Sequence, residues 1–387
     1  MSDLMKKVQT RDSGHKLTTE ANFLIQKGEK MKRTGKLFGL MAVAVFGILI
    51  IANPVTAQTK KMKLMSVKAD SAITLDAMAE KAWDKATALE VKLDQLPYEP
   101  SNGYKGIRET IVKMKSLYDD KNVYFLIQYA DPTKSLARFP WVKQADGSWK
   151  QLVNKDSTGH DNTYYEDKLG LYWEIKARGF KKKGCAVSCH LTENGMNNGL
   201  PDKSAGRKYT NKPGETIDMW HWKSVRTGPL GMFDDQFVDD TKDPKQNKNW
   251  GRKGDHKLSG GYKNNVNESK TAPAFMNTPF SEGNKYWVLP RTKSKFMDTF
   301  KTGDVAPGIV LSPFTGSRAD IKVKSNWKDG QWTLEVKRAL VTTGEKADIQ
   351  DVQFKDTKKP YYFGISVFDN SQINHVYHEG AIELSFN

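Results

Sequence analysis

The chain has 387 residues, a net charge of +16, 38% hydrophobic residues and a mean hydropathy of −0.65. That length and apolar content exclude a disordered chain and allow one large domain or two closely packed ones. Two cysteines exclude both a disulfide-rich scaffold and an iron–sulfur cluster held by this chain alone.

The first distinctive stretch is Leu37–Asn53, LFGLMAVAVFGILIIAN, preceded by Lys32, Arg33 and Lys36 and followed by Val55-Thr56-Ala57. A basic flank, an apolar run and a small-residue site read as a secretory leader, residues 1–57, cleaved near Ala57; Met31 would open a leader of ordinary length. An uncleaved membrane anchor is the alternative, because the run is just long enough to span a bilayer. Export to the periplasm is the expectation. The leader carries nine Lys/Arg and four Asp/Glu, which leaves the mature chain 52 basic and 41 acidic residues, a net +11. Such a surface attracts acidic protein partners or membrane headgroups. No nucleic-acid-binding motif with interleaved aromatics occurs, and none is expected in an exported protein.

Residues 58–387 are predicted to be mainly β. Helical spacing is confined to Ala72–Leu89, through Leu75, Met78, Ala82, Trp83 and Ala86. Strand-like runs follow at 88–93, 123–129, 169–175, 285–290, 331–341, 361–368 and 375–386, rich in β-branched and aromatic residues and bounded by turn formers. Asp146-Gly147 and Asp329-Gly330, each just before a Trp-containing strand, predict hairpin turns. The pattern predicts an antiparallel β-sandwich with helical and long-loop insertions. The region 177–275 is expected to supply the loops that wrap a cofactor, with 241–270 a solvated surface loop.

Both cysteines lie in Gly184-Cys185-Ala186-Val187-Ser188-Cys189-His190. Two thiols and an adjacent imidazole are what covalent haem attachment uses: thioethers to the vinyl groups, and the histidine as proximal axial ligand. The spacing here is three residues rather than the usual two. A small-loop Cys185–Cys189 disulfide, or a zinc site completed from elsewhere, fits the same residues.

The chain resembles the ethylbenzene-dehydrogenase-type haem-binding domain of haem cytochromes and of gamma subunits of dimethyl sulfoxide reductase-type molybdenum enzymes. Four pieces carry the resemblance: Leu117–Leu126 with Asp131-Pro132-Thr133; Cys185–His190; Asp218–Lys223 with Arg226–Pro229; and Asp329–Trp332 through Phe368-Asp369-Asn370 to Asn374-His375. The resemblance implies a β-sandwich around one haem, with one axial ligand from mid-chain and another near the C-terminus. Family members bind haem b through Met and Lys or attach it covalently; Cys185, Cys189 and His190 resemble the covalent, haem c branch. Extractable haem would make this a haem b protein.

For the second axial ligand the resemblance falls on His375. His378 is the alternate on the opposite strand face, with Met196 and Met219 as further candidates. Trp220 and His221 are candidate packing residues beside the haem, and Lys223 and Arg226 candidate partners of its propionates. Together these imply an exported monohaem c-type cytochrome that carries single electrons and is not an enzyme on its own. It would serve a redox partner, with iron–sulfur and molybdenum subunits as the implied class. A haem-free β-sandwich binding module with a Cys185–Cys189 disulfide is the rival from another class.

Overall fold

Alternation of apolar and polar residues sets most of the strands. In Thr110–Tyr118 it buries Val112, Met114 and Ser116 and leaves Ile111 and Lys113 outside. The computed structural model describes residues 62–189 and 208–387, with the backbone alone of 196–197 and 200–201. The leader, His190 and the Met196 side chain lie outside the described residues.

Thirteen strands join in one sheet: β1 (Lys63–Lys68), β2 (Leu89–Leu93), β3 (Thr110–Tyr118), β4 (Asn122–Ala130), β5 (Lys168–Lys176), β6 (Thr216–Lys223), β7 (Asp234–Val238), β8 (Arg252–Gly254), β9 (Lys322–Lys328), β10 (Gln331–Ala339), β11 (Tyr361–Phe368), β12 (Val376–Tyr377) and β13 (Ile382–Phe386). Their order is β8-β7-β6-β5-β11-β13-β1-β3-β4-β10-β9, with β2 beside β3 and β12 beside β11. All pairings are antiparallel except those of β1 with β13 and β3.

The sheet folds over on itself as a sandwich. Phe125 of β4 meets Trp173 of β5 at 5.7 Å and Trp220 of β6 at 6.0 Å, and Trp222 of β6 meets Trp332 of β10 at 4.9 Å. These rings are buried in one core with Leu169, Leu171, Phe363 and Ile365. Each such side chain contributes about 1.5–3 kcal/mol through burial. The mainly β, antiparallel sandwich expected from the sequence is therefore present.

The hairpin at Asp329-Gly330 is a two-residue turn with both residues at positive φ, 51° and 75°, joining Lys328 to Gln331. Asp146-Gly147 lies in the turn between the short strands Trp141–Lys143 and Trp149–Gln151. Two expectations fail. Ala72–Leu89 is not a helix: it holds one 3₁₀ turn, Lys81–Lys85. The Glu335 carboxylate takes the amides of Asp76 and Ala77, each at 2.8 Å, and the Trp83 indole at 2.9 Å, so those amides never reach helical acceptors. Ala77 and Ala79 adopt positive φ, and Met78 is exposed. Residues 285–290 are likewise not a strand. Asn277 Nδ2 donates to the carbonyls of Asn284 and Trp287, and only Val288 bridges to Val310. Helical insertions are slight, two four-residue helices at Phe180–Lys183 and Ala347–Gln350 among the described residues. The stretch 241–270 carries β8 and a strand, Gly261–Asn264, paired with Ile309–Ser312.

Candidate functional site

The three strands β6, β5 and β11 bury Trp220, Leu171 and Ile365 inward and turn the alternate residues outward. Their register sets these outward residues in rows: Met219–Tyr172–Gly364, His221–Gly170–Ser366 and Lys223–Lys168–Phe368. Two of these positions, Gly170 on β5 and Gly364 on β11, are glycine. A glycine inside an apolar strand marks a place where something approaches the backbone closely. Above this floor lies a narrow cavity of about 60 Å³. Its walls include Tyr98, Cys185, Cys189, Arg252, Gln372 and His375.

The cysteine loop reaches the cavity through a short 3₁₀ turn, Gly184–Val187. The Ser188 and Cys189 amides both donate to the Cys185 carbonyl, at 3.1 and 3.0 Å. Cys185 and Cys189 thus stand one hydrogen-bonded turn apart, and residues four apart on such a turn face the same way. The third intervening residue completes that turn. Both thiols are buried and unbridged. Burial and the neighbouring Cys189 push the Cys185 thiol well above its usual range. The loop is seated on two glycines. A Cβ on Gly364 would lie 3.1 Å from the Cys185 amide and 3.2 Å from its Cβ, and one on Gly184 would run into the Gly380 carbonyl.

His375, 8% exposed, enters from the segment between β11 and β12, its ring tilted against Phe368 with centres 4.6 Å apart. Its Nδ1 lies 2.7 Å from the Ile373 carbonyl, an acceptor only, so Nδ1 carries the hydrogen and Nε2 the lone pair. His221 also packs against Phe368, with ring centres 5.7 Å apart. Its Nδ1 faces the Arg252 guanidinium at 3.5 Å, and its buried Nε2 makes no hydrogen bond among the described residues. Burial, then Lys223 and Arg252, hold His221 well below its usual pKa, so it is neutral. Lys168 is also buried, with Nζ donating to the Gln372 carbonyl at 2.8 Å and lying 3.9 Å from the Phe368 ring centre.

The structure therefore brings Cys185, Cys189, Met219, His221 and His375 to one cavity. It places the other sequence candidates elsewhere. Trp220 faces the core and donates to Asp218 at 2.9 Å. Lys223 pairs with Asp234, which Arg318 also holds at 2.6 Å, and Arg226 pairs with Glu166. Their charges are used inside the fold, and neither side chain lines the cavity. His378 is half-buried off the cavity, with Nδ1 3.2 Å from the Lys92 carbonyl. Sequence reasoning missed Lys168, Gly170, Tyr172, Arg252 and Gly364; the two glycines inside apolar strands were the available signal.

The donor set is of the kind that a haem uses. Two thiols and an imidazole line one cavity, over a floor in which Gly170 makes way for the Ser366 hydroxyl and Gly364 for Cys185. Aromatic and aliphatic walls complete it.

Among solved structures, the chain is similar to a carbohydrate-binding module of family 9 from Caldicellulosiruptor kristjanssonii. In complex with glucose that module shows 9% identity and a TM-score of 0.30, over 84% of this chain and 95% of the module. In complex with cellotriose the values are 11% and 0.30, over 84% and 94%. No curated protein matches the chain. The family model described as ethylbenzene dehydrogenase matches residues 80–380, which include every described wall of the cavity, and the chain belongs to that family.

Proposed function

We propose that this chain is an exported haem-binding protein that carries single electrons, working with or within a molybdenum and iron–sulfur oxidoreductase. Its family is associated with haem- and molybdenum-enzyme subunits. The observation that carries the reading is that Cys185, Cys189 and His375, from two distant parts of the chain, line one cavity.

Cys185 and Cys189 would hold the group covalently, and His190 and His375 would bind its iron. When bound, the haem supplies a one-electron couple. The chain's own residues do the rest. Tyr172, Met219 and Phe368 give the cavity apolar walls, and the Ile373 carbonyl fixes the His375 tautomer through Nδ1. The Arg252 guanidinium faces His221 on the wall, and a positive charge there favours the electron-richer state of whatever occupies the cavity. His221 presents an N–H, which suits it to donate a hydrogen bond rather than to ligate.

The test is a pyridine haemochrome spectrum on protein exported from a host with cytochrome c maturation machinery, before and after acid–acetone extraction. Haem that stays with the polypeptide supports attachment at Cys185 and Cys189. Extractable haem makes the site a haem b site. Absence of haem with loss of both free thiols would instead favour the haem-free binding module. Replacing His375 by Ala should convert a low-spin, six-coordinate spectrum to high-spin, whereas His221→Ala should leave it low-spin. The reverse pattern would exchange the two roles.

A further inference from the structure

A second constellation lies on the other side of the same strands. Asp131 just beyond β4, Asp167 just before β5 and Asp369 just after β11 come from parts of the chain far apart in sequence. Each offers an oxygen within 4.8 Å of the others. All three are buried, at 0%, 0% and 3% exposure. Their hydrogen-bond donors are neutral. The Ser135 amide, the Trp332 indole and the Asn370 amide serve Asp167, at 2.7, 3.2 and 3.1 Å. The Ile107 amide with the Thr133 and Ser135 hydroxyls serves Asp369, at 3.0, 3.2 and 3.3 Å. The Thr133 amide serves Asp131 at 3.1 Å. No lysine or arginine forms an ion pair with any of them among the described residues. The other buried aspartate cluster, Asp218, Asp235 and Asp351, differs, because Arg338 reaches two of its members at 3.6 and 3.8 Å.

Tyr129 supplies an independent observation. It lies two residues before Asp131 on the same face of β4, is 1% exposed, and its hydroxyl makes no hydrogen bond. Burial and the charges of all three carboxylates push its ionisation up, so the unpartnered hydroxyl lies in the field of the cluster. One carboxylate oxygen of Asp131, Oδ2, is likewise buried without a hydrogen-bond partner. Carboxylate and hydroxyl oxygens with no nitrogen or sulfur donor are the ligand set of hard divalent cations. Calcium, which takes many oxygens in flexible geometry, suits such a set better than magnesium, which keeps its waters.

We propose that Asp131, Asp167 and Asp369 bind a calcium-type cation beside the Tyr129 hydroxyl, and that this cation fixes the root of the segment carrying His375 into the cavity. Asp369 and Asn370 begin that segment, and Asp167 directly precedes Lys168 of the cavity wall. Two of the three aspartates belong to stretches singled out in the sequence, Asp131-Pro132-Thr133 and Phe368-Asp369-Asn370, that the cavity does not otherwise explain.

The test uses the full exported protein, stripped with EGTA and then dialysed against calcium. Mass-spectrometric metal analysis should find one calcium per chain. Thermal unfolding should shift upwards on calcium return, with the unfolding constant falling about 100-fold when free calcium is 100 times its dissociation constant. Asp131→Asn should abolish both effects. If the cluster merely shares protons, calcium leaves the wild-type melting curve unchanged and Asp131→Asn is neutral or stabilising, which would overturn the proposal. So would a calcium shift that survives Asp131→Asn. Should that variant not fold, the metal content and calcium response of the wild type decide.

Discussion

Replacing Gly184 by Ala tests whether close backbone packing is what seats the cysteine loop. Gly184 has φ 56° and ψ −140°, a conformation essentially reserved for glycine, which costs another residue of order 1–3 kcal/mol. The added methyl would also collide with the backbone of Gly380, and forcing an atom into a packed site costs about 1–3 kcal/mol more. The variant should therefore lose about 2–6 kcal/mol. Gly103→Ala is the control, because Gly103 has φ 72° with nothing within 4 Å of a Cβ and suffers the backbone term alone. The assay is urea unfolding of both variants with haem content per polypeptide measured alongside. Gly184→Ala should lose more stability than the control and retain less haem, since moving the turn off Gly380 withdraws Cys185 and Cys189 from the cavity. Equal losses with equal haem content would refute the reasoning.

Glu335→Ala leaves three donors without their acceptor, one of them the buried Trp83 indole, and should cost about 3 kcal/mol or more in chemical denaturation. Asp234 governs part of the acid limb. Burial raises its pKa, but Lys223 and Arg318 outweigh that and hold it below 3.8. A depressed carboxylate contributes stability that is present above the unfolded value and lost as pH falls through the folded one. Urea midpoints should accordingly fall as the pH drops below about 4. Asp234→Asn should flatten that limb and cost about 3–5 kcal/mol at neutral pH, because the Lys223 ammonium is left buried without its carboxylate. A limb unchanged by Asp234→Asn would assign the acid sensitivity to other carboxylates.

The sandwich was legible because its strands obey simple rules: β4, β5, β10 and β11 are runs of β-branched and aromatic residues, and Asp329-Gly330 is a turn pair that needs two positive φ values. The cysteine loop and His375 were legible as residue types that carry chemistry. The stretch 218–223 was read as one unit and so was misassigned in part. As strand β6 it divides by parity, Met219 and His221 towards the cavity and Trp220 and Trp222 into the core. Lys223 shares the outward parity yet is taken by Asp234, a contact across the sheet that no local pattern shows. Lys168 was invisible for a similar reason, because a lysine at a strand end ordinarily reads as solvated surface. The supposed helix at 72–89 failed through Glu335, more than 250 residues away, whose carboxylate claims the amides.

The two described segments that bring candidate ligands to the cavity are held by different forces, and this separates their responses to perturbation. The cysteine loop rests on close backbone approaches at Gly184 and Gly364, which depend on shape and are indifferent to charge. The His375 segment is tied by polar side chains. Asn370, in the left-handed region at φ 49°, receives a hydrogen bond from the Tyr165 amide at 2.9 Å and donates its own amide to Asp167 at 3.1 Å. Gln372 exchanges hydrogen bonds with the Asp161 backbone at 2.7 and 3.0 Å, and Lys168 donates to its carbonyl. These anchors include a buried carboxylate and a buried amine, so changes in charge act first on the His375 side. Beneath both segments, Leu169, Leu171 and Trp173 lock the same strand into the core whose other face, through Gly170, forms the cavity floor. A floor fixed by core packing under separately anchored arms is preorganised where the cavity must be flat and adjustable where a ligand must be reached.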